Sequence, residues 1–120
     1  MAGEKNEQFK KRLYKFTLDL IREVEQLPKD QVTRVITDQL IRSVTSICAN
    51  YIEAYAASSR RDFTNYFNHS LKSANESKFW VALLRDSSKM QEKKADEFLA
   101  ELDQISKILG SSILTLRGKR

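Results

Sequence analysis

The sequence predicts an all-α protein, an antiparallel up-down-up-down four-helix bundle, and three observations support that fold class. Of its 120 residues only three are glycine and one is proline, too few for the turns of a β-sheet protein. Hydrophobic residues make up 41% of the chain and charged residues 31%, which suffices for a core and a solvated exterior. Apolar residues recur every three or four positions in four long segments. We therefore expect one domain, residues 1–120, with helices at about 4–26, 30–57, 60–86 and 89–116.

The first helix is predicted by an apolar stripe on one face. Its members are Phe9, Leu13, Phe16, Leu20, Val24 and Leu27. Pro28 ends this helix, because proline lacks an amide donor and pushes the residue before it out of the helical region.

The second helix begins after Asp30, a predicted N-cap, and carries two apolar stripes. The main stripe comprises Val32, Val35, Ile36, Leu40, Val44, Ile47, Tyr51 and Tyr55, and the second comprises Ile41, Cys48 and Ile52. Together they cover more of the circumference than a surface helix needs. We expect this helix to be buried on two sides and to contact other subunits.

The third helix is predicted to start at Ser59 and Asp62, which are spaced like a capping box. Its small residues Ser70, Ser73 and Ser77 either let a neighbouring helix approach closely or simply face solvent.

The fourth helix is predicted by a seam that packs helices nearly parallel. Its members are Ala95, Phe98, Leu102, Ile105 and Leu109. Ser87 or Ser88 could cap its start. Ile113 and Leu116 stay in phase with the seam, so we expect the helix to continue through Gly110 despite the cost of an internal glycine.

No catalytic or metal-binding constellation is visible in the sequence. His69 is the only histidine and Cys48 the only cysteine, so one chain cannot supply the usual ligands of a transition-metal site or an intramolecular disulfide. No glycine-rich phosphate loop is present. We predict no enzymatic activity, no metal and no cofactor. The sequence also has neither a signal-like start nor an apolar run of about 20 residues, which predicts a cytoplasmic protein that does not enter membranes.

A polar line follows the otherwise apolar second helix. It consists of Asp38, Arg42, Ser46, Asn50 and Glu53. One interpretation is that the line faces water, with Asp38 and Arg42 paired one turn apart. The other is that Asn50 and Glu53 brace the corner into the third helix by accepting hydrogen bonds from backbone amides or from Arg60 or Arg61.

The formal net charge of +5 favours an anionic partner. The candidate nucleic-acid-binding residues form three clusters: Lys10, Lys11, Arg12 and Lys15; Arg60 and Arg61; and Arg117, Lys119 and Arg120. In an antiparallel bundle the start of the first helix, the turn between the second and third, and the end of the fourth lie at one end. We therefore predict a basic pole that contacts phosphates without reading bases.

Three segments carry a family resemblance: TDQLIRS at 37–43, SICAN at 46–50 and KSANE at 72–76. In order and spacing they resemble a bacterial four-helix-bundle family encoded in intervening sequences of large-subunit ribosomal RNA genes. Residues at matching motif positions include Asp38, Arg42, Asn50, Glu53, Ser59 and Glu76. Ala54 and Lys72 depart from the pattern, because each stands where the family has glycine.

The resemblance implies a bundle that assembles as a ring-shaped homopentamer, with no enzymatic activity assigned. It also implies binding to nucleic acid, RNA first of all, or to a nucleic-acid-processing protein. A related branch comprises accessory proteins of diversity-generating retroelements, which partner a reverse transcriptase. The alternative function is therefore an interaction scaffold or accessory subunit for such an enzyme.

Overall fold

The computed structural model describes residues 2–118 and shows a bundle of four antiparallel helices within that range. They are α1 (Ala2–Val24), α2 (Gln31–Ala56), α3 (Arg60–Asp86) and α4 (Glu92–Leu116). The bundle measures 45 × 23 × 23 Å, which matches helices of this length laid side by side. The predicted all-α fold class is confirmed. The boundaries differ most at the start of α4, which begins three residues later than predicted.

Two of the predicted caps are present. The carboxylate of Asp30 accepts a hydrogen bond from the backbone nitrogen of Thr33 at 2.9 Å. The hydroxyl of Ser59 accepts one from the backbone nitrogen of Asp62 at 3.1 Å. Each side chain satisfies an amide that has no partner inside its helix, so each fixes where a helix begins.

The predicted cap of α4 is wrong. Ser87 donates its hydroxyl back to the carbonyl oxygen of Leu83 at 2.7 Å, closing α3 rather than opening α4. Ser88 has a φ of 62°, a left-handed conformation that reverses the chain. The reversal uses the residues up to Gln91, which makes no side-chain cap bond. The helix therefore starts at Glu92.

The core is built from the predicted stripes of all four helices. The large side chains that are at most 1% exposed are Leu13, Leu20, Leu40, Val44, Ile47, Val81, Leu84, Leu102, Ile105 and Leu109. The seam of α4 continues past Gly110 to Ile113, which is 4% exposed, so the predicted continuation of α4 is confirmed.

Helices α2 and α3 form the most extensive helix pair, and small polar side chains line their contact. Ser70 and Ser77 are completely buried and Ser43 is 1% exposed. The hydroxyls of Ser43 and Ser77 lie 2.8 Å apart, and Ser70 donates to the carbonyl oxygen of Ile47 at 2.7 Å. The interpretation that small residues admit a neighbouring helix is therefore confirmed, because their hydroxyls are satisfied inside the contact.

Helix α2 is less buried than its two stripes predict. Val32 and Val35 are each 57% exposed, and Ile52 is 46% exposed. Helix α1 packs on one flank of α2 and α3 on the other, so the remaining surface of α2 faces outward. Apolar side chains are left uncovered there in the single chain.

Candidate nucleic-acid interface

Three arginines lie at the end of the bundle where α2 turns into α3. The Nη2 of Arg60 donates to the backbone carbonyl oxygen of Leu116 at 2.6 Å, which joins the start of α3 to the end of α4. The Nη2 of Arg117 lies 3.5 Å from Oδ1 of Asn68 on α3. Arg61 is exposed and forms no hydrogen bond or ion pair with any described residue. We call Arg60, Arg61 and Arg117 the arginine tip.

The last two predicted basic residues, Lys119 and Arg120, lie outside the described residues 2–118. The arginine tip therefore contains three of the nine candidate side chains.

The basic cluster on α1 lies away from the arginine tip, contrary to the prediction. Arg12 forms two hydrogen bonds with Glu101, of 2.7 and 2.9 Å, and Glu101 stands about 22 Å of helix before Leu116. Lys15 lies nearly one turn farther along and pairs with Asp19 at 2.8 Å. The cause is simple: residues 2–9 occupy the first two turns of α1, so a cluster at 10–15 falls partway down the bundle.

The α1 cluster is also partly neutralised. Lys10 pairs with Glu7 at 2.9 Å, and the hydrogen bonds to Glu101 raise the pKa of Arg12 above its ordinary value. Lys11 is exposed and forms no ion pair among the described residues. This cluster thus offers phosphates less free charge than the sequence suggests.

Arg42, in the polar line of α2, does not pair with Asp38, so that prediction is wrong. It donates to Glu76 on α3 at 2.6 Å and to Gln39 on its own helix at 3.0 Å. Glu76 also accepts a hydrogen bond from Nε1 of Trp80 at 2.9 Å. Asp38 is exposed. Arg42 therefore pairs with Glu76 on the neighbouring helix and not with Asp38 on its own. These two motif residues join α2 to α3.

The prediction that Asn50 and Glu53 brace the corner is also wrong. Asn50 donates to the carbonyl oxygen and the hydroxyl of Ser46, at 2.9 and 2.8 Å. Ser46 in turn accepts a hydrogen bond from Ser73 on α3 at 2.9 Å. Glu53 is exposed and has no partner among the described residues. Asn50 lies nearly two turns before the end of α2, too far back to reach the first amides of α3.

A groove of about 430 Å³ lies beside the arginine tip and was missed at the sequence level. Its walls include Tyr55, Phe63 and Phe67 on one side and Ser112, Thr115 and Leu116 on the other. The carbonyl oxygen of Leu116 accepts the hydrogen bond from Arg60, so the Arg60 guanidinium lies next to this aromatic groove. We call this the tip groove.

The aromatic wall of the tip groove is held by ring contacts. Tyr55 lies 4.9 Å from Phe63 at an interplanar angle of 85°, and Phe63 stacks on Phe67 at 5.0 Å. Tyr51 supports Tyr55 from behind at 5.2 Å and contacts Phe9 of α1 at 5.0 Å. Tyr55 nevertheless remains 49% exposed. Its position is therefore fixed while much of its surface stays open.

A sequence signal for the tip groove does exist. Two aromatic residues one turn apart, Tyr51 and Tyr55, precede the corner, and two more, Phe63 and Phe67, follow it. Residues four apart share one helix face, and a tight antiparallel corner brings two such faces together. The pattern thus predicts an aromatic cluster at the corner beside Arg60.

Other features of the described residues carry little chemistry. Across 2–118 no group of three or more histidine, cysteine, aspartate or glutamate side chains could hold a metal ion. His69 is exposed, and Cys48 is 7% exposed with a pKa that burial raises. A cavity of about 550 Å³ lies between α1 and α4. Most of its lining side chains are charged, and both acidic and basic residues are among them. None of the described helices combines the length and apolar character needed to cross a bilayer.

Comparison with known proteins agrees with this architecture. Residues 5–111 match the model of a family described as 23S rRNA-intervening sequence protein. The chain is also similar to a crystal structure of a protein with unknown function from the S23 ribosomal protein family of Bacteroides thetaiotaomicron. The TM-score is 0.84 at 33% sequence identity, over 91% of this chain and 97% of the other. No curated protein matches this chain.

Proposed function

Because this chain belongs to the 23S rRNA-intervening sequence protein family, we propose that it is a non-enzymatic, self-associating protein that binds nucleic acid, RNA first of all, through the arginine tip. The observation that carries the proposal is the bond from Arg60 to the carbonyl oxygen of Leu116. This bond joins the start of α3 to the end of α4, so Arg60 and Arg117 lie at the same end of the bundle. Our proposal is that they contact neighbouring phosphates there.

Guanidinium groups suit this role because their forked donors match the geometry of phosphate oxygens. Arg60 uses one of its five donors on Leu116, so the others stay available. Arg61 lies in the first turn of α3, where the partial positive charge of the helix N-terminus adds to its own. Asp62, in the same turn, is the nearest opposing charge along the chain. Such a surface positions a sugar-phosphate backbone without reading its sequence.

Self-association is supported by the apolar residues that the single chain leaves uncovered. Tyr14 of α1 is 65% exposed and Ile52 of α2 is 46% exposed. Together with Cys48, Lys10 and Lys11 they line a cavity of about 350 Å³ between the two helices. Exposed apolar surface of this kind marks interaction sites. Repetition of the arginine tip around a ring, such as the predicted homopentamer, would multiply its attraction for a polyanion.

The same cavity favours a second candidate function, that of an accessory subunit for a nucleic-acid enzyme such as a reverse transcriptase. In that case the surface around Tyr14 and Ile52 would bind the enzyme instead of another copy. An apolar contact of this kind would depend weakly on salt, whereas phosphate binding weakens steeply as salt rises.

The test compares two triple variants that remove equal charge. One is Arg60→Gln, Arg61→Gln and Arg117→Gln at the arginine tip, and the other is Lys10→Gln, Lys11→Gln and Lys15→Gln on α1. Affinity for a fluorescent RNA oligonucleotide is measured by anisotropy at low salt. We expect the tip variant to weaken binding at least about tenfold and the α1 variant to have a much smaller effect.

Equal losses in the two triple variants would contradict the proposal, because net charge rather than the arginine tip would then control binding. Absence of binding by the unmodified protein would contradict it outright. Helical content by circular dichroism, measured on both variants, establishes that each comparison is made between folded proteins.

A further inference from the structure

The tip groove has a shape and chemistry that phosphate binding alone does not require. Phosphate contacts need charge on a surface, yet the arginine tip borders a concave site of about 430 Å³ with an aromatic wall. That volume is within the range of small-molecule sites. Resting on the function proposed above, we infer that the tip groove holds an unpaired nucleobase stacked on Tyr55, so that the protein selects single-stranded nucleic acid.

The aromatic wall provides a stacking surface that is already in place. Tyr55 is 49% exposed, while Tyr51, Phe63 and Phe67 contact its ring at centroid distances of 5.2, 4.9 and 6.2 Å. A base that stacks on a ring held in this way loses little affinity to ordering the protein. Stacking tolerates any sequence, because every base has a π face.

The opposite wall is polar at its rim. Ser112 donates its hydroxyl hydrogen to the carbonyl oxygen of Ile108 at 3.0 Å, and Thr115 donates to that of Ser111 at 3.1 Å. Each hydroxyl donates its single hydrogen in these bonds, so each oxygen keeps its capacity to accept one. Exocyclic amino groups of bases are the matching donors.

Charge at the mouth distinguishes a nucleotide from an apolar peptide. The guanidinium of Arg60 binds Leu116, which is itself a lining residue of the tip groove. The residues that line the groove include no acidic side chain. A base in the groove therefore leaves its own phosphate beside Arg60, and the next phosphates along the strand lie near Arg61 and Arg117. Base pairing would hold the same base inside a duplex, out of reach.

The deciding variant is Tyr55→Leu, which keeps an apolar side chain and removes the stacking ring. Its matched control is Phe79→Leu, at an aromatic residue that is 57% exposed on α3 and lines neither the tip groove nor the cavity between α1 and α2. Each protein is titrated with single-stranded uridine and adenosine oligonucleotides of RNA and of DNA, with an RNA duplex, and with inorganic polyphosphate as a probe that carries charge but no bases.

We expect Tyr55→Leu to weaken single-strand binding about tenfold or more, in keeping with the usual loss of one base-stacking contact. Duplex and polyphosphate affinities should stay unchanged, and Phe79→Leu should bind every probe as the unmodified protein does. A 2-aminopurine base in the oligonucleotide should change its fluorescence on binding, and Tyr55→Leu should abolish that change. The RNA and DNA arms show whether the ribose contributes.

Equal affinity for single strand and duplex, or equal effects of Tyr55→Leu and Phe79→Leu, would overturn the stacking inference while leaving phosphate binding at the arginine tip intact. Loss of polyphosphate binding in Tyr55→Leu would also overturn it, because the ring would then act by supporting the arginines. Failure of the unmodified protein to bind any of these polyanions would instead overturn the proposed function, and the inference with it.

Discussion

Single residues decide where the helices of this protein begin and which charges remain free. Asp30 and Ser59 act within three residues of themselves, so a local sequence pattern was enough to predict both caps. Arg42 and its partner Glu76 are 34 positions apart. A local sequence pattern cannot show that Arg42 pairs with Glu76 and not with Asp38, one turn away. The same limit applies to Arg12, whose partner Glu101 lies on another helix.

Asp30 should make stability depend on acid pH. Hydrogen bonds from the backbone and the hydroxyl of Thr33, with a smaller contribution from Lys89, lower the pKa of Asp30 from 3.8 to about 2. The contribution of the charged cap to stability is therefore complete above about pH 4 and is lost as the pH falls from there to about 2, because the unfolded chain takes up a proton first.

The variant Asp30→Asn keeps a capping oxygen but cannot titrate. We expect its melting temperature to fall less than that of the unmodified protein between about pH 5 and pH 2. Thermal unfolding followed by circular dichroism measures the difference. Parallel decreases in the two proteins would show that the Asp30 carboxylate contributes nothing to acid unfolding.

Whole helices were predictable wherever periodicity alone determines burial. The α4 seam from Ala95 to Ile113 is buried as expected, since residues three and four apart share a face in any helix. The two stripes of α2 were less informative. Periodicity shows that Val35 and Ile52 could be buried, but only the arrangement of α1 and α3 decides which side of α2 is covered.

Gly110 lies inside α4 without a structural need for glycine. A Cβ added there meets nothing within 4 Å, and its φ is not in the left-handed region. We expect Gly110→Ala to stabilise the protein by about 0.5 to 1 kcal/mol, because alanine loses less backbone entropy in a helix. Urea unfolding, followed by the fluorescence of the single tryptophan, Trp80, measures the change.

Gly118 provides the control for this variant. A Cβ at Gly118 also meets nothing within 4 Å, but its φ is +71°, where alanine is strained. Gly118→Ala should give no stabilisation. Equal gains at both glycines would contradict the explanation by helix entropy.

At the scale of the whole molecule, antiparallel topology determines which distant segments meet. It brings the corner between α2 and α3 against the end of α4, as the bond from Arg60 to Leu116 demonstrates. That meeting could be predicted from the order of helices alone. The depth of the α1 cluster also followed from the predicted helix, because a start at residue 4 already puts residue 10 about 9 Å along the axis. What the sequence could not show was the partner of Arg12, since Glu101 lies on another helix.

The proposed assembly depends on apolar surface outside the core. We expect Ile52→Lys to reduce the molar mass measured by light scattering to that of a monomer, because an ammonium group buried between subunits would meet only like charge, that of Lys10 and Lys11, among the residues that line this cavity. Leu114→Lys is the matched control, since Leu114 is 45% exposed on α4 and outside the cavity lined by Tyr14 and Ile52. An unmodified protein that is already monomeric, or an equal effect of the two variants, would contradict an interface at Ile52.

The salt dependence of RNA binding tests most directly whether the arginine tip contacts phosphates. Each phosphate contact on a single strand contributes about 0.7 to the slope of log affinity against log salt concentration. We expect a steep slope for the unmodified protein and a slope shallower by about 2 when Arg60, Arg61 and Arg117 are all replaced by glutamine. Identical slopes for the two proteins, or a slope near zero for the unmodified one, would contradict this expectation.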